Sequence, residues 1–412
     1  MAPVTVPAWT RLPALHQPPW PDRGHLDRVL DQLRTMPPLV VEPEVAALRS
    51  ELAEACAGRA FLLQVGDCAE SFAELTAPAL DAKAAVYGGL AGGLAAGLGV
   101  RTVLIGRIAG QYAKPRTSPV ERRGSTELLS FRGENVNGPA FAAADRRPDP
   151  DRLLQGYLRA ATAVNYLRAL APARSTAPAL RYTSHEALLL PYEDALVRAG
   201  AGGERYAGSA HTLWVGERTR QLGGAHLEFL ARLASPVGCK CGPDLTPAAA
   251  VATCQALNPD RLPGRLTLIT RMGADRIGRL LPPIVRAVRD AGHPVLWSCD
   301  PMHGNPYVCS ADGYRAREFD WVLAEVHGYL AVHADAGTWP GGLHLECAAE
   351  PVTECVGGPG GPRLAGLRAN HRTLCDPRLN PAQAQELVRR TVEWLAPAAR
   401  PGRRPPVLQA VR

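Results

Sequence analysis

The sequence predicts an α/β protein built on a (β/α)8 barrel with an N-terminal helical extension. Three features predict it. Eight short apolar runs recur along the chain, amphipathic segments of helical length separate them, and polar residues cluster directly after each run. Buried parallel strands read as such runs, bounded by Gly, Pro or charge. From pattern alone, a doubly wound sheet stays open as the alternative.

The elements follow in order. Residues 1–57 form the extension, with helices expected over Arg23–Arg34 and Pro43–Cys56 around the Pro37-Pro38 break. Residues 58–396 carry the barrel. Its strands are expected at Phe61–Val65, Thr102–Ile105, Leu180–Thr183, Thr212–Val215, Pro236–Cys241, Leu266–Thr270, Val295–Ser298 and Leu343–Glu346. Ala84–Val100 is uncharged and carries six glycines, which suits a helix packed closely against a sheet better than a membrane span. Asp151–Leu170 reads as one amphipathic helix, with Ala171–Leu180 as a loop into the third strand. Gly357–Gly361 lacks a following Lys-Ser/Thr and reads as a loop. Asn380 and Pro381 cap a last helix, whose Leu387, Val388, Val392 and Leu395 share a face. Residues 397–412 read as a basic tail.

Composition narrows the class. Of 412 residues, 46% are hydrophobic and 21% charged, ordinary values for a globular enzyme. The net charge of +7 suits anionic small substrates. No Lys/Arg block exceeds three residues and there are only six Phe, so nucleic-acid binding is not expected. Neither a secretory leader nor a membrane span is expected, and the ten Cys include no CxxC pair, so a cytoplasmic, disulfide-free protein is expected.

In a barrel the residues after each strand converge on one rim, where active sites sit. Here they are Asp67-Cys68-Ala69-Glu70, Arg107 through Thr117, Glu217-Arg218, Lys240, Arg271 and Asp300-Pro301-Met302-His303. Five or six cations, a Cys, a His and several carboxylates suit a metal and phosphorylated substrates. Cys239 and Cys241 share a strand face opposite Lys240, which by itself makes no zinc site. His344 and Glu346 also share a face, and either can point inward.

Several of these segments are long and rare. Phe61-Leu-Leu-Gln-Val-Gly-Asp-Cys-Ala-Glu-Ser-Phe72, Arg107-Ile-Ala-Gly-Gln-Tyr-Ala-Lys-Pro-Arg116, Ser184-His-Glu-Ala-Leu188, Trp214 to Leu222, Trp297-Ser-Cys-Asp-Pro-Met-His-Gly-Asn305 and Cys375-Asp-Pro-Arg-Leu-Asn380 resemble the class II (plant-like) 3-deoxy-D-arabino-heptulosonate 7-phosphate (DAHP) synthases, in family order. The resemblance implies a barrel that condenses phosphoenolpyruvate with erythrose 4-phosphate, the entry step of the shikimate pathway.

It further implies metal ligands at Cys68, His303, Glu346 and Asp376, a set of mixed softness that takes Mn²⁺ or Co²⁺, with Fe²⁺ or Zn²⁺ as alternatives. Phosphoenolpyruvate falls to Arg107, Glu217, Arg218, Lys240 and Arg271, and erythrose 4-phosphate to Lys114, Arg116 and Thr117. The general acid stays open between a metal-bound water, Lys114 and His303. A homo-oligomer, a dimer, is implied. Val65, Thr117, Ala348-Ala349 and His371-Arg372 depart from the family pattern and can alter the aldehyde pocket. They leave open an amino-DAHP synthase that takes an imino sugar phosphate. The four intact ligands count against a third reading, a non-catalytic partner subunit. Gly138 to Ser184 is too short for an extra helical pair, so a feedback-insensitive enzyme serving secondary metabolism is expected.

Overall fold

The eight apolar runs become eight staves. The computed structural model describes residues 8–171, 178–309 and 313–396. Its central sheet is a closed barrel of β1 (Ala60–Gly66), β2 (Arg101–Arg107), β3 (Tyr182–Glu186), β4 (Thr212–Val215), β5 (Val237–Cys241), β6 (Leu266–Thr270), β7 (Leu296–Cys299) and β8 (Gly342–Glu346). Every neighbouring pair is parallel, and β1 closes the ring by pairing Leu62 with Gly342 through Gly66 with Glu346.

Seven strands fall within a residue or two of the apolar runs. The third does not. It spans Tyr182–Glu186 rather than Leu180–Thr183, because its second half is polar yet buried: Ser184 donates to the Gly106 carbonyl of β2, and His185 pairs with Glu193 on the short helix that follows. An apolar-run criterion stops short of such residues.

Residues of the extension fold as expected, with helices at Arg23–Thr35 and Glu42–Cys56. The second helix buries Leu48, Leu52 and Ala55 against Leu62, Val103, Ile105 and Leu296, the first halves of β1, β2 and β7. It therefore seals the N-terminal end of the barrel and leaves the opposite rim open. The Gly/Ala-rich segment is the Ala77–Leu98 helix, which packs on β1, β2 and the C-terminal helix Pro381–Leu395. Gly97 is the contact point: a Cβ there would lie 2.4 Å from a Val392 methyl.

Asn380 accepts from the Gln383 backbone N–H and Gln383 reciprocates, a capping box that starts the last helix. Asp151–Leu170 is one helix, as expected. The basic tail 397–412 and most of the loop 171–180 lie outside the described residues. Three small sheets outside the barrel have no counterpart in the apolar pattern, among them the hairpin Val120–Arg123/Thr126–Leu129 and the sheet that holds the strand Arg315–Glu318. Among the described residues no helix is long and apolar enough to cross a membrane, and all ten cysteines are free thiols.

Candidate active site

A cavity of about 390 Å³ opens at the C-terminal ends of the strands. Of the residues expected at the site, Arg107, Lys114, Arg116, Thr117, Glu217, Arg218, Lys240, Arg271, His303 and Asp376 line it. Cys68 and Glu346 lie beneath, fully buried.

Cys68 Sγ, a ring nitrogen of His303 and a Glu346 oxygen lie within 4.8 Å of one another. Each comes from a strand end. Cys68 follows β1, His303 follows β7 in a turn, and Glu346 is the last residue of β8. His303 Nε2 sits 3.1 Å from Glu346 Oε1, while its Nδ1 is held 2.7 Å from Asp300 Oδ2. Such a carboxylate partner leaves Nε2 as the free ligand atom.

Burial opposes ionisation of Asp300, but His303 and Lys240 outweigh it and hold its carboxyl well below the ordinary range. Glu346 is likewise buried, and His303, Arg107 and Arg317 keep it ionised. Between these two carboxylates His303 is pushed up to about 9 in spite of its burial. A thiol, an imidazole and a carboxylate poised on a compact, proton-holding cluster fit a divalent cation, whose binding displaces the ligand protons.

The fourth expected ligand stands at the edge of this group. Asp376 Oδ2 accepts from the Cys68 thiol at 3.6 Å, but Oδ1 is drawn 2.8 Å from Arg315, a cavity residue that the sequence did not single out. The Asp376 turn is anchored from below. Arg378 pairs with Asp67 at 2.6 Å and with Glu354 at 2.9 Å, and Glu354 also accepts the Arg372 and Arg378 N–H groups. Lys83 completes Asp67 at 2.5 Å.

The cations divide by depth. At the floor, Arg107 donates to the Asp67 carbonyl, His344 Nε2 and Glu346 Oε1. Lys240 pairs with Asp300 at 2.5 Å, and burial lowers it to about 8 despite that partner. The Trp214 ring lies between them, with the Arg107 guanidinium 5.3 Å and Lys240 Nζ 5.8 Å from its centroid. Lys114 donates to the Cys68 carbonyl at 2.9 Å; burial disfavours its charge, but Cys68 and Glu346 push its pKa above that of an ordinary lysine. Nearer the mouth, Arg116 reaches Cys375 Sγ at 3.7 Å and Glu121 at 3.3 Å. Glu217 turns its carboxylate into the protein, accepting from Gly242 N–H and pairing with Arg220 at 2.6 Å.

Buried carboxylates pin the loops that carry these cations. Glu70 accepts the N–H groups of Ala109, Gly110 and Gln111, holding Ala109 at φ 60° on the way to Lys114. Glu325 accepts from Met272, Gly273 and Asn305, fixing the loops of Arg271 and His303 together. Asp300 sits within an expected motif, three residues before His303, and that spacing was its signal. Arg315, Arg317 and Glu325 carried none, because no apolar pattern or rare motif marks their segments.

Comparison with known proteins gives the family and the fold. The sequence profile of the Class-II DAHP synthetase family matches residues 4–179 and 173–391. The phospho-2-dehydro-3-deoxyheptonate aldolase AroG of Mycolicibacterium smegmatis is 41% identical, with 93% of this chain and 93% of that protein aligned. The phospho-2-dehydro-3-deoxyheptonate aldolase of Streptomyces coelicolor is also 41% identical, over 92% of this chain and 94% of its own length. Among solved structures, the phospho-2-dehydro-3-deoxyheptonate aldolase of Francisella tularensis matches with a TM-score of 0.53 at 13% identity, covering 89% of this chain and 96% of that one. At that identity it speaks for the fold alone.

Proposed function

This chain belongs to the class-II DAHP synthetase family, and from that premise we propose how its cavity divides the labour of the reaction. The activity is DAHP synthesis: phosphoenolpyruvate, erythrose 4-phosphate and water give DAHP and inorganic phosphate, a step of the shikimate pathway. The residue roles below, the identity of the metal, the downstream pathway and the assembly state are our reading.

One observation carries that reading. On the cavity floor Arg107 pairs with Glu346 at 2.9 Å and Lys240 with Asp300, the partner of His303, so a dianionic enol phosphate and a metal ligand set can share one pocket. Arg107, Arg218, Lys240 and Arg271 bind phosphoenolpyruvate, with Glu217 shaping that wall from behind through Gly242. Arginine forks suit both its carboxylate and its phosphate. Arg116 and Thr117 hold the phosphate of the aldose near the mouth, and Lys114 lies at the aldehyde end.

Cys68, His303, Glu346 and Asp376 would hold the divalent metal, Mn²⁺ or Co²⁺ before Fe²⁺ or Zn²⁺; when bound it supplies Lewis acidity toward the aldehyde oxygen. Carbon 3 of phosphoenolpyruvate attacks the aldehyde carbon, forming the new C–C bond, and carbon 2 becomes electron-poor. Water adds there, and phosphate leaves by C–O cleavage. Lys114, kept protonated between Cys68 and Glu346, is placed to donate the proton that the new alkoxide needs. His303, held by Asp300, serves as ligand and is the other candidate donor. Glu346 and Asp300 balance the cations while the pocket is empty of anions.

The same reading has the enzyme as a cytoplasmic homodimer dedicated to secondary metabolism. Its test is direct. Purified protein with phosphoenolpyruvate, erythrose 4-phosphate and Mn²⁺ or Co²⁺ should release phosphate and yield a product of the DAHP mass, and EDTA should stop it reversibly. Turnover unaffected by EDTA, or a product formed only from an imino sugar phosphate, would overturn it. Sedimentation decides the dimer.

A further inference from the structure

From Arg107 a line of buried polar side chains runs below the cavity floor, and its further members do not line the cavity. Arg107 Nη1 lies 2.6 Å from His344 Nε2, and His344 Nδ1 lies 2.8 Å from Gln64 Oε1. Gln64 Nε2 donates to Ser184 Oγ at 2.8 Å, and that hydroxyl donates to the Gly106 carbonyl at 2.9 Å. His344 and Ser184 have no exposed surface, and Gln64 is 4% exposed.

The direction of every bond is fixed from the ends. A guanidinium only donates and a carbonyl only accepts. His344 Nε2 must therefore be the acceptor, which puts the ring proton on Nδ1, facing the Gln64 oxygen. The Gln64 amide is then oriented with its NH₂ toward Ser184, whose single proton goes to Gly106. Reversing any member would face donor against donor or acceptor against acceptor, at a desolvated site where that is costly.

The line also closes on itself. It leaves from the side chain of Arg107, crosses from β2 to β8, β1 and β3, and returns to the backbone of the preceding residue, Gly106. A ring anchored at both ends on β2 leaves the Arg107 side chain little freedom. The Trp214 ring packs at right angles to His344, with centroids 5.2 Å apart, and its centroid lies 5.3 Å from the Arg107 guanidinium. With donors also spent on Asp67 and Glu346, Arg107 keeps two N–H groups for a ligand.

We propose that His344, through Gln64 and Ser184, is a positioning residue that fixes the Arg107 guanidinium for phosphoenolpyruvate. The proposal rests on the reading that Arg107 binds this substrate. Preorganised charge accelerates a reaction because no reorganisation is left to do when the anion arrives. An Arg107 released from His344 keeps its charge and loses its aim.

His344→Gln retains an acceptor toward Arg107 and a donor toward Gln64, whereas His344→Leu removes both at similar volume. Steady-state kinetics with saturating Mn²⁺ should show His344→Leu raising KM for phosphoenolpyruvate roughly tenfold while KM for erythrose 4-phosphate stays within about twofold. His344→Gln should recover most of that loss. Gln64→Leu, one bond further away, should give the same selectivity at smaller size and covers the case in which His344→Leu does not fold. Equal changes in both KM values, or a glutamine variant no better than leucine, would mean that the ring only stabilises the fold, and would overturn the proposal. Arg107→Lys is the reference. If it binds phosphoenolpyruvate as the wild type does, the assignment of Arg107 fails and not the positioning of it.

Discussion

Lys240 and His303 share one carboxylate, Asp300, and their chemistry diverges from there. Lys240 is a cation lowered to about 8 by burial, so it loses its proton in the range where most enzymes are assayed. As the pH rises through about 8 the cavity floor loses a positive charge, and on the proposed assignment kcat/KM for phosphoenolpyruvate should fall on that limb. Lys240→Arg stays charged, and its alkaline limb should move higher; an unmoved limb would separate Lys240 from that titration. Cys68→Ser and His303→Ala should each lose tight Co²⁺ binding and turnover, while the circular dichroism of the barrel is unchanged, because the ligands sit on the rim. Cys375 is next in sequence to Asp376, whose N–H and carboxylate both meet Cys68 Sγ. With the metal removed and dissolved oxygen as oxidant, the two thiols should form a disulfide, which reductant and metal reverse; peptide mapping that finds both thiols free after aerobic chelation would refute this. Cys68 was legible in the sequence as part of a rare motif after a strand end, and Cys375 as part of the rare motif that leads into the last helix. Arg315, which holds Asp376 away from the other ligands, was not, since its segment mixes charge with small residues and shows no period.

Helices here are read well because capping and burial agree. Asn380→Ala removes one side of the capping box and should cost about 1 kcal/mol, seen as a lower denaturation midpoint. Gly97→Ala would gain helix propensity of roughly 1 kcal/mol. Its Cβ, however, meets Val392 at 2.4 Å, so the substitution should destabilise by about 1–3 kcal/mol, and Val392→Ala should relieve most of it. A Gly97→Ala variant more stable than the wild type would mean that the two helices part freely. The strands show where pattern reading ends. β3 was displaced by two residues because Ser184, His185 and Glu186 are polar and still belong to the barrel wall. The hairpin Val120–Arg123/Thr126–Leu129 was missed for the opposite reason: it lies on the surface, with no buried face to impose alternation.

At the scale of the whole chain, the barrel and the cluster at its rim were legible because strand ends must converge, whatever their distance in sequence. Regulation belongs to the same scale. The segment between β2 and β3 holds a short hairpin, the brief Ala143–Arg146 turn of helix and the single long helix Asp151–Leu170. An effector needs a site that distinguishes two states, and the expected elements of one are missing from the described part of this segment. Phe, Tyr and Trp, alone or together, should leave the steady-state rate unchanged up to millimolar concentration; strong inhibition by any of them would locate an effector site elsewhere. The β1–β8 seam has a consequence in time. Its partners are some 280 residues apart, which at ribosomal speed is on the order of 15–60 s of synthesis. Through that interval β1 is an unpaired edge, open to any passing strand. Asp376 emerges later still, so on the proposed assignment the four ligands can meet only after residue 376 has been made.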